Sequence, residues 1–199
     1  NDGITRSFYV QPTYTTNHTE TFETNGGLWM KPLATPTWEN GIPGFGINPP
    51  SGTRVWMTRL LDHYPDGDSA FVESGCYSNA DGMRKILQLK YWMLTQEPND
   101  GATLQYSTDN GNSWQPLDTT MGIWSWYTGT VQALQSRGWT GNSNGFTTPR
   151  ILLPKTVTAA PSMKFRMAFG SDADTSNIGF AFDDFSISVA PFDIGISAV

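Results

Sequence analysis

Apolar and polar residues alternate along most of this chain. In Ser162-Met-Lys-Phe-Arg-Met-Ala-Phe169, Met163, Phe165, Met167 and Phe169 fall on one face and Lys164 and Arg166 on the other. That period of two predicts a strand with one buried and one wet face. Thr53–Leu60, Ser69–Ser74 and Lys85–Leu94 repeat the pattern. Between them lie Gly, Pro, Asn and Asp clusters at Glu39–Gly46, Asn48–Gly52, Tyr64–Asp68 and Pro98–Gly101, which read as turns and crossing loops. Only Thr130–Ser136 predicts a short helix, with too few turns to anchor a fold. Short strands with polar connections predict an all-β protein, a jelly-roll sandwich of two antiparallel sheets.

One hairpin shows its turn chemistry. Leu104 and Tyr106 alternate into Ser107, Asp109 and Gly111 before Trp114 resumes the strand, and Asp-Asn-Gly is a strong turn signal. Ser-x-Asp-x-Gly-x-x-Trp is the Asp-box spacing, in which the carboxylate caps backbone N–H groups and the Trp packs beneath. Its first reading is structural, with a ligand contact as the other. The late run Gly179–Ser188 predicts a closing strand.

The 199 residues suit one all-β domain. Residues 13–190 form it in this reading, with 1–12 the tail of a preceding module and 191–199 the start of a following one. A net charge of −6 argues against nucleic acid or an anionic membrane, which would need clustered Lys and Arg. The nearest such group, Arg84, Lys85 and Lys90, reads as a solvated sheet face. Cys76 is alone, so no disulfide or Cys-x-x-Cys site is available, and it reads as a small buried hydrophobe. No apolar stretch approaches the roughly 18–20 residues of a membrane span. Asn17-His-Thr19 is a glycosylation sequon, a triplet that chance often supplies.

Several segments together carry a resemblance. They are Thr21-Phe-Glu23, Trp38-Glu-Asn-Gly-x-Pro43, Asp68–Ser74, Asp100–Trp114, Gly138–Ser143, Phe165–Asp172 and Gly179–Phe185. In order and spacing the chain, over roughly residues 20 to 190, resembles the MAM-like jelly-roll modules of large secreted and surface proteins of Bacteroidetes. These include the cleaved-adhesin type, and their sandwich is similar to that of reelin repeats. The group is functionally mixed, so the resemblance implies a fold and an extracellular setting without a ligand.

It also implies a structural calcium site. Calcium takes about six to eight oxygens, from carboxylates, backbone carbonyls and water. Related jelly rolls pair an early Glu with a late Asp across adjacent first and last strands. Glu23 and Asp183 match, with Asp68 of the Tyr-Pro-Asp-Gly-Asp loop as the third expected ligand. Asp183 shares parity with Phe185 and Ile187, so it should point inward and need a partner. Asp184 then faces solvent unless a bulge reverses the two. The competing reading has Asp183 capping a turn or pairing with Arg, and Glu23 simply exposed. Asp172–Asn177 is oxygen-rich but lacks the glycine and distal Glu of a calcium loop, and reads as a polar loop.

Catalytic signatures meet obstacles. Gly141-Asn-Ser-Asn-Gly145 has no apolar strand before it and no helix after it. Both histidines, His18 and His63, precede it, so the Ser, Asp, His order is unavailable. There is no His-Glu-x-x-His. Paired carboxylates for glycoside hydrolysis stay open, although most acids sit in turn signals. The chain reads as a non-catalytic adhesion or ligand-binding module, or as a carbohydrate-binding accessory domain of a secreted hydrolase. Expected partners are a glycan, a cell-surface protein and neighbouring domains of the same chain. Trp124, Trp126 and Tyr127 form the candidate sugar platform, because flat exposed rings stack on sugar C–H faces. The same rings would equally serve to cover the end of the core.

Overall fold

The computed structural model describes residues 13–15, 17–32, 37–79, 81–118, 122–124 and 126–191, with the backbone alone for 122–124. The expected tail at 1–12 and residues 192–199 of the expected following module lie outside these. In order the strands are β1 (Thr13–Tyr14), β2 (His18–Glu20), β3 (Trp38–Gly41), β4 (Val55–Thr58) and β5 (Ser69–Glu73). Next come β6 (Cys76–Ser78), β7 (Lys85–Leu94), β8 (Gly101–Ser107), β9 (Gln115–Pro116) and β10 (Gly122–Trp124). The last are β11 (Gly129–Val131), β12 (Ser136–Gly138), β13 (Arg150–Leu152), β14 (Ser162–Gly170) and β15 (Gly179–Val189). Where a helix was expected there is a single 3-10 turn, Gln132–Leu134, and a four-residue helix α1, Lys155–Thr158, was not foreseen.

The strands form the expected β-sandwich. One sheet runs β1-β6-β14-β8-β9, with β5 also on β14; the other runs β10-β13-β7-β15-β4-β3, with β2 also on β15. Pairing is antiparallel apart from β1 with β6. The inward face of β14 is realised as read, but the other face is largely covered, with Lys164 only 8 % exposed. Met163, Phe165, Met167 and Phe169 are all buried against Phe180, Phe182 and Phe185 of β15 and Leu87, Leu89 and Tyr91 of β7. Aromatic rings fill the gap between the sheets: Trp139 and Tyr91 stack on Phe180 at centroid distances of 5.7 and 5.6 Å, and lie 5.2 Å from each other. At roughly 25 cal/mol per Å² of apolar area, such rings dominate the burial that holds the sheets together.

A second, smaller cluster sits on the outer face of the seven-stranded sheet. Ile47 folds over Val55, Met57 and Ala181, with Trp92 and Phe146 beside them. The loop between β3 and β4 therefore covers this face of β15. Two smaller expectations change. Lys85 is fully buried and paired with Asp81, because the odd residues of β7 point inward. Cys76 is half-exposed, with Sγ 3.4 Å from Asn110 Oδ1, because it faces the surface of the short β6.

Candidate functional site

The covering loop lies over an acidic node on β15. Between Asp183 and Ser186 the pairing with β7 shifts register, and Asp184 takes φ +48°. This bulge changes the parity argument. Asp183 stands opposite Lys90, on the same outer face as Ala181, rather than in the sandwich core. It is nevertheless fully buried, and Asp184 is 9 % exposed, because the loop through Ser51 closes above them.

The node is built from local geometry. Asp183 Oδ1 accepts the Asp184 N–H at 2.7 Å. The Ser51 hydroxyl donates to Asp184 Oδ1 at 2.6 Å and reaches Asp183 Oδ2 only at 3.5 Å. Lys90 Nζ pairs with Asp184 Oδ2 at 2.8 Å. Glu23, in the turn after β2 rather than at a strand start, accepts the N–H groups of Thr53 at 3.1 Å and Arg54 at 2.8 Å. Gly52 permits that approach: it has φ +52°, and a Cβ there would lie 2.3 Å from Glu23 Cδ. Burial first, then the charges of Asp184 and Glu23, push the Asp183 carboxyl up to about 7, against a hydrogen bond from Asp184 that opposes them. Because β2 pairs with β15, the turn that carries Glu23 lies near enough to Asp183 for its charge to act there.

Asp68 does not join them. It precedes β5 in the other sheet, where its N–H donates to Ser171 Oγ at 2.9 Å, and its Oδ2 is buried without a partner. Among the described residues no three His, Cys, Asp or Glu side chains are grouped to hold an ion. Sequence parity could not show this, since it carries no information on which end of the sandwich a loop occupies. The oxygen-rich loop is a polar loop, with Asp172 N–H held by Asp100 Oδ1 at 2.8 Å.

The candidate sugar platform is described only in part. Trp124 lies in β10, and its side chain is outside the described residues. Trp126 is 5 % exposed, donates Nε1–H to Leu117 O at 2.8 Å, and packs on Trp139 at 5.2 Å. Tyr127 is packed against the same core, its hydroxyl donating to Leu104 O at 3.0 Å. Both polar tips find backbone acceptors, so the rings can be buried instead of presented. Trp126 thus offers no open face for stacking.

Partly exposed aromatic rings lie elsewhere, on the outer face of β5, β14 and β8. The Asp-box is formed as read: Asp109 Oδ1 accepts Ser107 Oγ at 2.7 Å and Ser113 N at 2.9 Å, and Ser107 Oγ accepts Gly111 N at 2.8 Å. These bonds hold the Asp109 carboxyl down to about 2. The box sets Trp114 against Arg166, whose guanidinium carbon lies 4.7 Å from the Trp114 ring and 4.9 Å from Phe71. Arg166 Nε donates to Gln105, while Glu73 pairs with Lys164 at 3.6 Å.

No catalytic grouping is evident among the described residues. His18 stacks on Tyr14 at 4.5 Å, and His63 stands at the surface near Phe45. Ser143 Oγ is committed to the Met93 N–H at 2.9 Å, docking its loop on β7.

No protein-family model matches the chain, and no curated protein matches it. Solved structures do. The K1 cleaved adhesin domain of Lys-gingipain from Porphyromonas gingivalis W83 superposes with a TM-score of 0.51 at 10% identity, covering 87% of this chain and 98% of that one. The likeness is one of fold. The K2 cleaved adhesin domain of Lys-gingipain gives 0.49 at 14% identity, over 84% of this chain and 96% of that one. The C-terminal family 22 carbohydrate binding module of Clostridium thermocellum Xyn10B gives 0.49 at 13%, over 90% and 97%.

Proposed function

We propose that the chain is a non-catalytic binding module of an extracellular or cell-surface protein, clamped by a calcium ion between its first and last strands. The observation that carries the clamp is Asp183, a fully buried carboxylate beside Asp184 and near Glu23, with Lys90 engaged on Asp184. A buried carboxyl in such company takes either a proton or a counterion, and above about pH 7 a bound cation would be the neutralising group. The donor set fits calcium: carboxylate and hydroxyl oxygens are hard ligands, and soft donors are absent from the node. Asp183 and Asp184, with Ser51, would hold the ion; Glu23 would join them by leaving the N–H groups of Thr53 and Arg54, since no three acidic side chains among the described residues are already grouped for it, and backbone carbonyls and water would complete the shell. The ion supplies a cross-link that ties the β2 turn, the covering loop and β15 together.

The expected partner is a glycan or a cell-surface protein, with neighbouring domains of the same chain beside it. The alternative, a carbohydrate-binding accessory domain of a secreted hydrolase, gains support from the surface pairing of Trp114 and Phe71 about Arg166. No helix among the described residues is long and apolar enough to cross a membrane, which leaves a β-barrel unaddressed. Calcium titration calorimetry on the purified chain, with a glycan array in calcium and in chelator, tests the proposal. Saturable calcium binding with a raised melting temperature is expected. Absence of any calcium heat would remove the clamp.

A further inference from the structure

We infer that the outer face of the six-stranded sheet around Arg166 binds a carboxylate-bearing sugar, such as a uronate residue in an acidic glycan. This rests on reading the chain as a binding module and adds both the place and the ligand class. The register assembles the face: Phe71 stands opposite Ala168, while Glu73 and Gln105 stand opposite Arg166 from the two sides of β14. Phe71 on β5 and Trp114 next to β9 therefore flank the guanidinium, at 4.9 and 4.7 Å. All four of Phe71, Gln105, Trp114 and Arg166 are partly exposed.

The electrostatics single out an anion. The chain carries −6 overall, yet Lys31, Lys164 and Arg166 gather here around Glu73. Glu73 pairs with Lys164 at 3.6 Å and its charge also acts on Arg166 opposite, but among the described residues no carboxylate lies within ion-pairing distance of Arg166. Its Nε bond to Gln105 fixes the guanidinium plane, so the fork is preorganised for the two oxygens of a carboxylate. Partial burial strengthens that pairing over one in open water. Beside it lies a recess of about 290 Å³ lined by Met30, Lys31, Pro32, Phe71, Glu73 and Lys164, at the small end of ligand sites.

The rings choose a sugar over an acidic peptide. A uronate holds its carboxylate on a rigid pyranose with an apolar C–H face, so one residue can meet the cation and an adjacent ring together. A peptide carboxylate on a flexible stem gains the charge without the stacking.

The test compares short oligogalacturonides, their methyl esters and poly-glutamate by calorimetry and NMR on the calcium-loaded chain. Oligogalacturonides should bind saturably, more weakly as salt rises, and move the Trp114 indole and Gln105 amide signals. The methyl ester and Arg166→Gln should each weaken binding by about tenfold or more, and Phe71→Ala should weaken it while the cation stays. The signal shifts in the unaltered chain keep the test independent of how the variants fold. Equal binding of the methyl ester or of poly-glutamate, shifts confined to another face, or no oligogalacturonide binding would overturn the assignment. A neutral glycan or protein ligand bound elsewhere would overturn it and leave the binding-module reading standing.

Discussion

Replacing Asp183 by Asn should act in opposite directions with and without calcium. Burial and the neighbouring Asp184 and Glu23 push this carboxyl from 3.8 up to about 7. A raised carboxyl stabilises the fold fully below 3.8, and that stabilisation is lost as pH climbs to about 7. At about 1.4 kcal/mol per pH unit the gap amounts to about 4 kcal/mol, and because Ser51 above the carboxyl is partly exposed, solvent screening leaves roughly half of that. Asparagine keeps an oxygen for the Asp184 N–H and drops the charge. In chelator at pH 8 the variant should therefore be more stable by about 2 kcal/mol, or about 4–8 °C for a chain of this size. At pH 4 that advantage should nearly vanish. With calcium at a hundredfold excess over Kd, the natural chain gains about 2.7 kcal/mol and the variant gains nothing. Thermal melts followed by circular dichroism, at both pH values and with calcium or chelator, read all of this. A variant that melts lower than the natural chain in chelator at pH 8, or that keeps a calcium shift, refutes the reasoning.

Other residues give independent checks. Gly52→Ala forces a Cβ against Glu23 Cδ at φ +52°; a loss of about 1–3 kcal/mol and a weaker calcium shift are expected in the same melts. Trp126→Ala should cost about 3–5 kcal/mol in urea denaturation, as a buried aromatic does, through loss of core packing. The Asp109 carboxyl, held down to about 2 by Ser107 and Ser113, should stay ionised in an NMR titration to well below pH 3.8. Its contribution to stability is present above the unfolded value and is lost as pH falls through about 2. Half-exposed Cys76 should react with a thiol reagent in the native state, whereas protection until unfolding would show it buried.

Much of this architecture is legible along the chain. Lys85–Leu94 emerges as a strand with the expected ends, and the inward residues of β14 are as read, because period-two direction is a local property of extended backbone, whereas burial of Lys164 on its other face is not. The Asp-box is equally local, since its bonds join residues within a few positions of each other. The acidic node is half-legible. That Asp183 is buried and that an early Glu lies near it follow from the pattern and the resemblance, but its face does not, because a one-residue bulge at Asp184 moves it to the other side of the sheet.

The strands, their inward residues and the turn chemistry were thus determined by the sequence itself, through backbone geometry and the segregation of apolar side chains. Long-range register decided the rest. It put Asp68 just before β5 in the sheet that excludes Asp183, buried Trp126 and packed Tyr127 against the core, and set Phe71 and Trp114 about Arg166. Asp68 meets Ser171 from 103 positions away, Arg166 meets residues more than 50 positions away in Phe71 and Trp114, and which distant strands pair is settled only when the whole apolar interior is packed at once.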